Sequence, residues 1–110
     1  MTDLHAAYSE AEKLMDDEKL DAAAEKLSAI LAEDGTFVLG HLALSRCCTK
    51  LGRHLEAIEH SKRACELEPN EAFNYTAMSI AYQRAWAGTG EQKYIQLAED
   101  ARDAAHRVQH

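Results

Sequence analysis

Residues 38–71 read VLGHLALSRCCTKLGRHLEAIEHSKRACELEPNE, and the fold expected of the whole chain follows from their periodicity. His41, Leu44, Ser45, Cys48 and Leu51 recur at three- and four-residue intervals, which places them on one helical face. Leu55, Ile58, Ala64 and Leu67 give the next segment an apolar stripe of its own. Gly52, directly after Leu51, can take the left-handed backbone that closes a helix without a Cβ penalty. Glu68-Pro69-Asn70 stops the second helix and offers Asn70 as the cap of a third. The stretch is predicted to be two helices joined by a short turn.

The same unit extends in both directions. Ala11, Ser45 and Ser79 recur at a constant interval equal to the length of segment 38–71. The same interval separates Ala23 from Ala57, Leu31 from Cys65, and the members of the series Leu14, Cys48, Tyr82. Segment 4–37 keeps Ala11, Ala23, Leu27, Ile30 and Leu31, but has Glu18 at the position of Gly52 and Gly35 at that of Pro69. The third segment, from Ala72, keeps Tyr75, Met78, Ser79 and Tyr82. It then has a turn predicted to be expanded over Ala85–Gly90, with the small residues of its second helix returning six or seven residues late. Thr89 and Gln92 have capping-box spacing, which starts the last helix near Gly90. Six helices are expected, near 3–17, 20–33, 37–51, 54–67, 71–87 and 91–108.

In segment 38–71, Leu44-Ser45, Leu51-Gly52, Ala57-Ile58, Ala64 and Leu67-Glu68-Pro69-Asn70 stand together in a register that resembles a tetratricopeptide repeat (TPR) in both length and order. The resemblance covers nearly the whole chain and is weakest over 84–110. It implies an all-α fold, a right-handed superhelical stack of helix–turn–helix units, with residues 1–110 as one domain of units 4–37, 38–71 and 72–110. Ala23 and Ala57 are then the small positions that let neighbouring helices approach.

Composition agrees. A chain of 110 residues is about one domain long, and five glycines with a single proline are few breakers for a sheet protein. The net charge of −7 argues against nucleic acid or anionic lipid as a partner. That charge belongs to residues 1–37, with 3 basic and 10 acidic residues, whereas 38–71 and 72–110 are each balanced. Three cysteines, two of them the adjacent Cys47 and Cys48, make no closed disulfide framework and suit a reducing compartment. With no signal-peptide pattern and no membrane-length apolar run, the expected location is the cytoplasm.

Little in the sequence points to catalysis. Of six histidines only His106 and His110 have the i, i+4 spacing of two ligands on one helical face, which supplies half a zinc site at a chain end. Cys48 and Cys65 fall at core positions, while Cys47 points elsewhere and is expected to be exposed. There is no CxxC, no glycine-rich phosphate loop and no HExxH, so no enzyme activity, cofactor or metal is expected.

The resemblance also marks a surface, because the first helix of each TPR unit lines a concave groove. His5, Tyr8, Ser9, Glu12, Met15 and Asp16 would come from the first unit; Leu39, Leu42, Ala43, Arg46, Thr49 and Lys50 from the second; Phe73, Thr76, Ala77, Ile80, Gln83 and Arg84 from the third. Tyr8, Glu12, Leu39, Leu42, Arg46, Lys50, Phe73, Ile80 and Arg84 are the expected partner-binding residues, with apolar anchors beside cations. The Lys/Asn/Arg clamp by which some TPR co-chaperones hold a terminal carboxylate is missing, since Tyr8, Glu12, Ala43, Phe73 and Ala77 stand at its positions. The implied function is non-catalytic binding of a protein or peptide segment. The alternative is a homo-oligomer formed through the groove or through the C-terminal end with Trp86, Tyr94, Ile95 and Leu97.

Overall fold

The computed structural model describes residues 3–109. They form six helices and no strand: α1 Leu4–Asp16, α2 Leu20–Glu33, α3 Val38–Lys50, α4 His54–Leu67, α5 Ala72–Thr89 and α6 Lys93–Gln109. Each helix packs on the next. In addition α1 meets α3 and α3 meets α5, whereas the backbones of α2, α4 and α6 do not approach one another, and α2 reaches the start of α4 through the Asp21–Arg53 ion pair (3.2 Å). The odd-numbered helices therefore form a continuous inner row and the even-numbered ones an outer row.

The first two helix pairs turn in the same way. After α3, Gly52 N–H donates to Thr49 O (3.1 Å) and Arg53 N–H to Cys48 O (2.8 Å), and after α1, Glu18 N–H donates to Met15 O (3.0 Å) and Lys19 N–H to Leu14 O (2.8 Å). This is the Schellman arrangement, which needs a left-handed residue at its corner: Gly52 has φ +79° and Glu18 has φ +59°. A side chain at such a φ costs about 1 kcal/mol relative to glycine. Glu18→Gly is therefore expected to raise stability by about 1 kcal/mol in urea denaturation. The ion pair it removes, to Lys50 at 3.9 Å, is exposed and weak.

Small residues set the inter-helix spacing. Ala11, Ala23, Ala43, Ala57, Ala64 and Ala85 are fully enclosed. Ala57→Leu is expected to overpack the α3–α4 contact and lower stability by about 1–3 kcal/mol; an unchanged melting temperature would overturn this packing. Beside it, Ser45 Oγ donates to Ala57 O (2.7 Å), and Ser79 Oγ donates to Ala98 O (2.8 Å) in the same manner. The two serines are one repeat length apart, but their acceptors are separated by seven positions more, so the third pair contains an insertion of that size.

The inserted residues lengthen a helix rather than widen a turn, which corrects the expectation for Ala85–Gly90. Helix α5 runs unbroken through Thr89, 18 residues against 13 in α1 and α3, and ends at Gly90 with φ +73°. Alanine-rich sequence favours this continuation. Gly88 permits it, because a Cβ there would collide with His54 Nε2. The capping box does not form either: Thr89 Oγ1 donates to Ala85 O (2.7 Å) and accepts from Glu91 N–H (3.2 Å), and α6 begins at Lys93.

Three further expectations are corrected. Asn70 does not cap α5, whose N-cap is Glu71 without a side-chain bond. Leu55 lies on the solvent side of α4, 70% exposed. Cys47 is buried, its Sγ 3.8 Å from Leu20 O, because α2 packs over that face of α3.

Candidate functional site

Two adjoining hollows form one crevice between α3 and α5. The first, about 440 Å³, is lined by Leu42, Arg46, Thr49, Lys50, Phe73, Thr76, Ala77, Ile80 and Arg84, with Ser45 and Ala81 at its base. The second, about 590 Å³, continues toward the helix starts along Phe37, Val38, Leu39, Leu42, Phe73 and Asn74. Leu42 and Phe73 border both. The small Ser45, Ala77 and Ala81 line the first hollow where α3 and α5 pass, and leave space there.

The structure thus brings together Leu39, Leu42, Arg46, Lys50, Phe73, Ile80 and Arg84 of the expected residues. They differ in exposure. Phe73, Ile80 and Leu39 are 63%, 48% and 46% exposed, whereas Leu42 is buried and forms the floor. Tyr8 and Glu12 line neither hollow. The Tyr8 ring leans on Phe37 (5.8 Å between centroids), and its hydroxyl is held between the Glu12 and Arg46 side chains. Burial and then Glu12 raise the Tyr8 pKa above its ordinary value, against the pull of Arg46, so the phenol stays neutral. Met15 and Ala43 are core residues and not groove residues, since α1–α3 packing covers them.

Sequence reading missed the rim of the second hollow, where Asp34, Glu68 and Glu71 stand with His5. One signal was present: Asp34 and Glu68 are one repeat length apart, in corresponding turns. Asp34 accepts from Thr36 Oγ1 (2.6 Å) and Thr36 N–H (3.0 Å), and these bonds hold its carboxyl below the usual range.

A histidine pair, His41 buried and His60 partly so, was missed as well. His41 Nε2 lies 2.8 Å from Gly35 O, which can only accept, so Nε2 carries the proton and Nδ1 is an acceptor. His60 Nδ1, 3.0 Å away, therefore donates to His41 Nδ1. Burial, and then His41, push the His60 pKa down; Glu56 and Glu59 pull the other way. With the folded pKa depressed below the unfolded value of about 6.5, this group adds stability above that pH, and the contribution is lost as pH falls toward the folded pKa. Denaturation midpoints are expected to fall between about pH 7.5 and 5.5, and His60→Gln should flatten that slope.

The three cysteines are buried and free. Burial pushes the Cys48 and Cys65 thiols up to about 11, away from thiolate chemistry. Among the described residues no three His, Cys, Asp or Glu gather as a metal site. His106 is exposed, and His110 lies outside the described residues.

A second apolar surface lies on α5 and α6. Trp86, Ile95 and Leu97 are partly exposed; Ile80 and Trp86 share a hollow of about 370 Å³, and Trp86 and Ile95 one of about 250 Å³. Tyr94, expected on this surface, is buried against Tyr82 at 6.2 Å between centroids. With Ala98 in the place of Ala57, the counterparts of Ile58, Ser61 and Cys65 of α4 are Glu99, Arg102 and His106 of α6. The flank that receives a helix in the middle of the stack is charged at this end.

No family model and no curated protein sequence matches the chain. Solved structures do. A crystal structure of MamA superposes with a TM-score of 0.83 at 18% identity over 98% of this chain and 59% of MamA. MamA of AMB-1 gives 0.70 at 21% identity over 92% of this chain and 60% of that one. The type III secretion translocator chaperone SycD of Yersinia enterocolitica gives 0.68 at 15% identity, with 96% and 91% covered. The fold is a TPR-like α-solenoid of six helices. The chain spans about three fifths of the MamA chains.

Proposed function

We propose that the chain is a non-catalytic, cytoplasmic TPR module, one domain of three repeat units, that binds a protein or peptide segment in the α3–α5 crevice. One observation carries this reading: exposed Phe73, Ile80 and Leu39 stand beside Arg46, Lys50 and Arg84 along a single crevice, in a chain that is acidic overall. Exposed aromatic and aliphatic side chains around a buried floor are what anchor a partner, and the cations steer it. No described helix is long and apolar enough to cross a membrane. The test is capture of partners from the native host by wild-type protein and by Phe73→Glu, with mass spectrometry. A partner retained equally by both would remove the crevice from consideration.

Self-association is the second reading, favoured by the exposed Trp86, Ile95 and Leu97. The charged Glu99 and Arg102 and the polar His106 beside them oppose a dry helix–helix contact there. SycD is a chaperone that crystallised as an alternative dimer, in keeping with both readings. Sedimentation velocity over a wide concentration range separates them.

A further inference from the structure

The charges around the crevice are sorted by end. Arg46, Lys50 and Arg84 line the hollow at the C-terminal halves of α3 and α5. Asp34, Glu68 and Glu71 line the hollow at the helix starts, and the apolar Leu42 and Phe73 lie where the two meet. Opposing helix dipoles do not cancel this. Each terminus is worth about half a charge, so two termini offset about one of the three side-chain charges at either end. At the basic end, Lys50 has only the exposed 3.9 Å contact with Glu18, and Arg46 faces the neutral Tyr8 hydroxyl as well as Glu12. At the acidic end Asp34 is held ionised by Thr36.

The geometry points to a bipolar occupant: an extended segment of a protein partner with basic residues at one end, one or two large apolar residues in the middle, and acidic residues at the other. Its acidic end lies against Arg46, Lys50 and Arg84, its basic end against Asp34, Glu68 and Glu71, and its apolar centre on Phe73 and Leu42. This deepens the crevice-binding reading and rests on it. The length follows from α3, whose 13 residues at 1.5 Å rise span roughly 20 Å. An extended chain at about 3.3 Å per residue covers that in about six residues. A uniformly acidic or uniformly basic segment would gain at one end and be repelled at the other.

The experiment uses the whole chain and three fluorescent peptides of about eight residues, each with the same leucine–phenylalanine centre. One has lysines at one end and aspartates at the other, one has aspartates at both ends, and one has lysines at both. Anisotropy titrations are expected to give at least about tenfold tighter binding of the bipolar peptide than of either other. Glu68→Lys with Glu71→Lys, both on exposed turn positions, should move the preference to the all-acidic peptide. Arg46→Glu with Arg84→Glu should move it to the all-basic one. Equal binding of all three, or no change of preference in the charge-reversed variants, overturns the bipolar inference, while binding that Phe73→Glu still abolishes leaves the crevice reading standing. Binding that Phe73→Glu leaves intact overturns both. Failure of the bipolar peptide to bind up to about 1 mM overturns the bipolar inference alone, since partner capture by the crevice is scored separately.

Discussion

Leu42→Glu is expected to unfold much of the protein, while Phe73→Glu leaves the fold intact and removes partner binding. Both residues border both halves of the crevice, yet Leu42 is only 8% exposed and Phe73 is 63% exposed. A carboxylate at position 42 would be buried in the floor between α3 and α5, uncompensated unless Arg46, one turn along α3 on the same hollow, left the rim to pair with it. An uncompensated buried charge of this kind costs about 3–5 kcal/mol, a large part of a total that is about 5–15 kcal/mol for a domain. At position 73 the new carboxylate stays hydrated, so helicity and melting temperature should hold. Binding should weaken by about thirtyfold or more, the equivalent of about 2 kcal/mol for an aromatic hot spot. Circular dichroism melts of both variants, with titration of the captured partner, decide it. A stable Leu42→Glu protein would mean that the α3–α5 packing is wrong.

The contrast marks what a helical periodicity contains. Spacing places Leu42, Ala43 and Met15 away from the core stripe of their own helices, and that much is correct within one pair. It says nothing of the neighbouring pair: α1–α3 packing covers Ala43 and Met15 completely or nearly so, and Phe73 is left open. The boundaries of the first four helices were legible because the turns repeat, down to the left-handed corner at Glu18 and Gly52. The third turn was not. Gly88 and Gly90 look alike in the sequence, but Gly90 adopts positive φ and ends the helix, whereas Gly88 is helical and small because His54 lies against it. That distinction depends on a residue a whole repeat length away. The His41–His60 pair is hidden for the same reason: two residues far apart in the chain become partners only when α3 and α4 fold together.

The acidic rim at Asp34, Glu68 and Glu71 ties stability to the site. These turn residues precede the helices that form the crevice, so whatever fixes the turns also aims Leu39 and Phe73. In the second turn the fixing group is one side chain.

Asn74 is that side chain, and Asn74→Leu is expected to lower stability by about 1–3 kcal/mol. The side chain is 1% exposed, and its Nδ2 donates to Ala64 O (3.2 Å) and Glu68 O (3.1 Å), thereby closing the C-terminal end of α4. Leucine has similar bulk but no donor; Ala64 O and Glu68 O keep their backbone partners, Glu68 N–H (2.9 Å) and Glu71 N–H (3.3 Å), so the loss is that of two hydrogen bonds at about 0.5–1.5 kcal/mol each. By the usual scale for a chain of this size, the melting temperature should drop by roughly 5–15 °C. Asn74→Asp makes the contrast sharper, since a carboxylate facing two carbonyl oxygens is worse than a missing bond. Its destabilisation should exceed that of Asn74→Leu at pH 7 and shrink near pH 4, where a protonated carboxyl can donate one of the two bonds. The equivalent position in the preceding repeat is Gly40, where a Cβ would meet Leu31 at 3.0 Å and Phe37 at 3.2 Å. The first inter-pair turn is thus filled by apolar side chains and the second by an amide, so only the second should show this pH dependence. Equal losses for the Leu and Asp variants at both pH values would mean that Asn74 acts by volume alone.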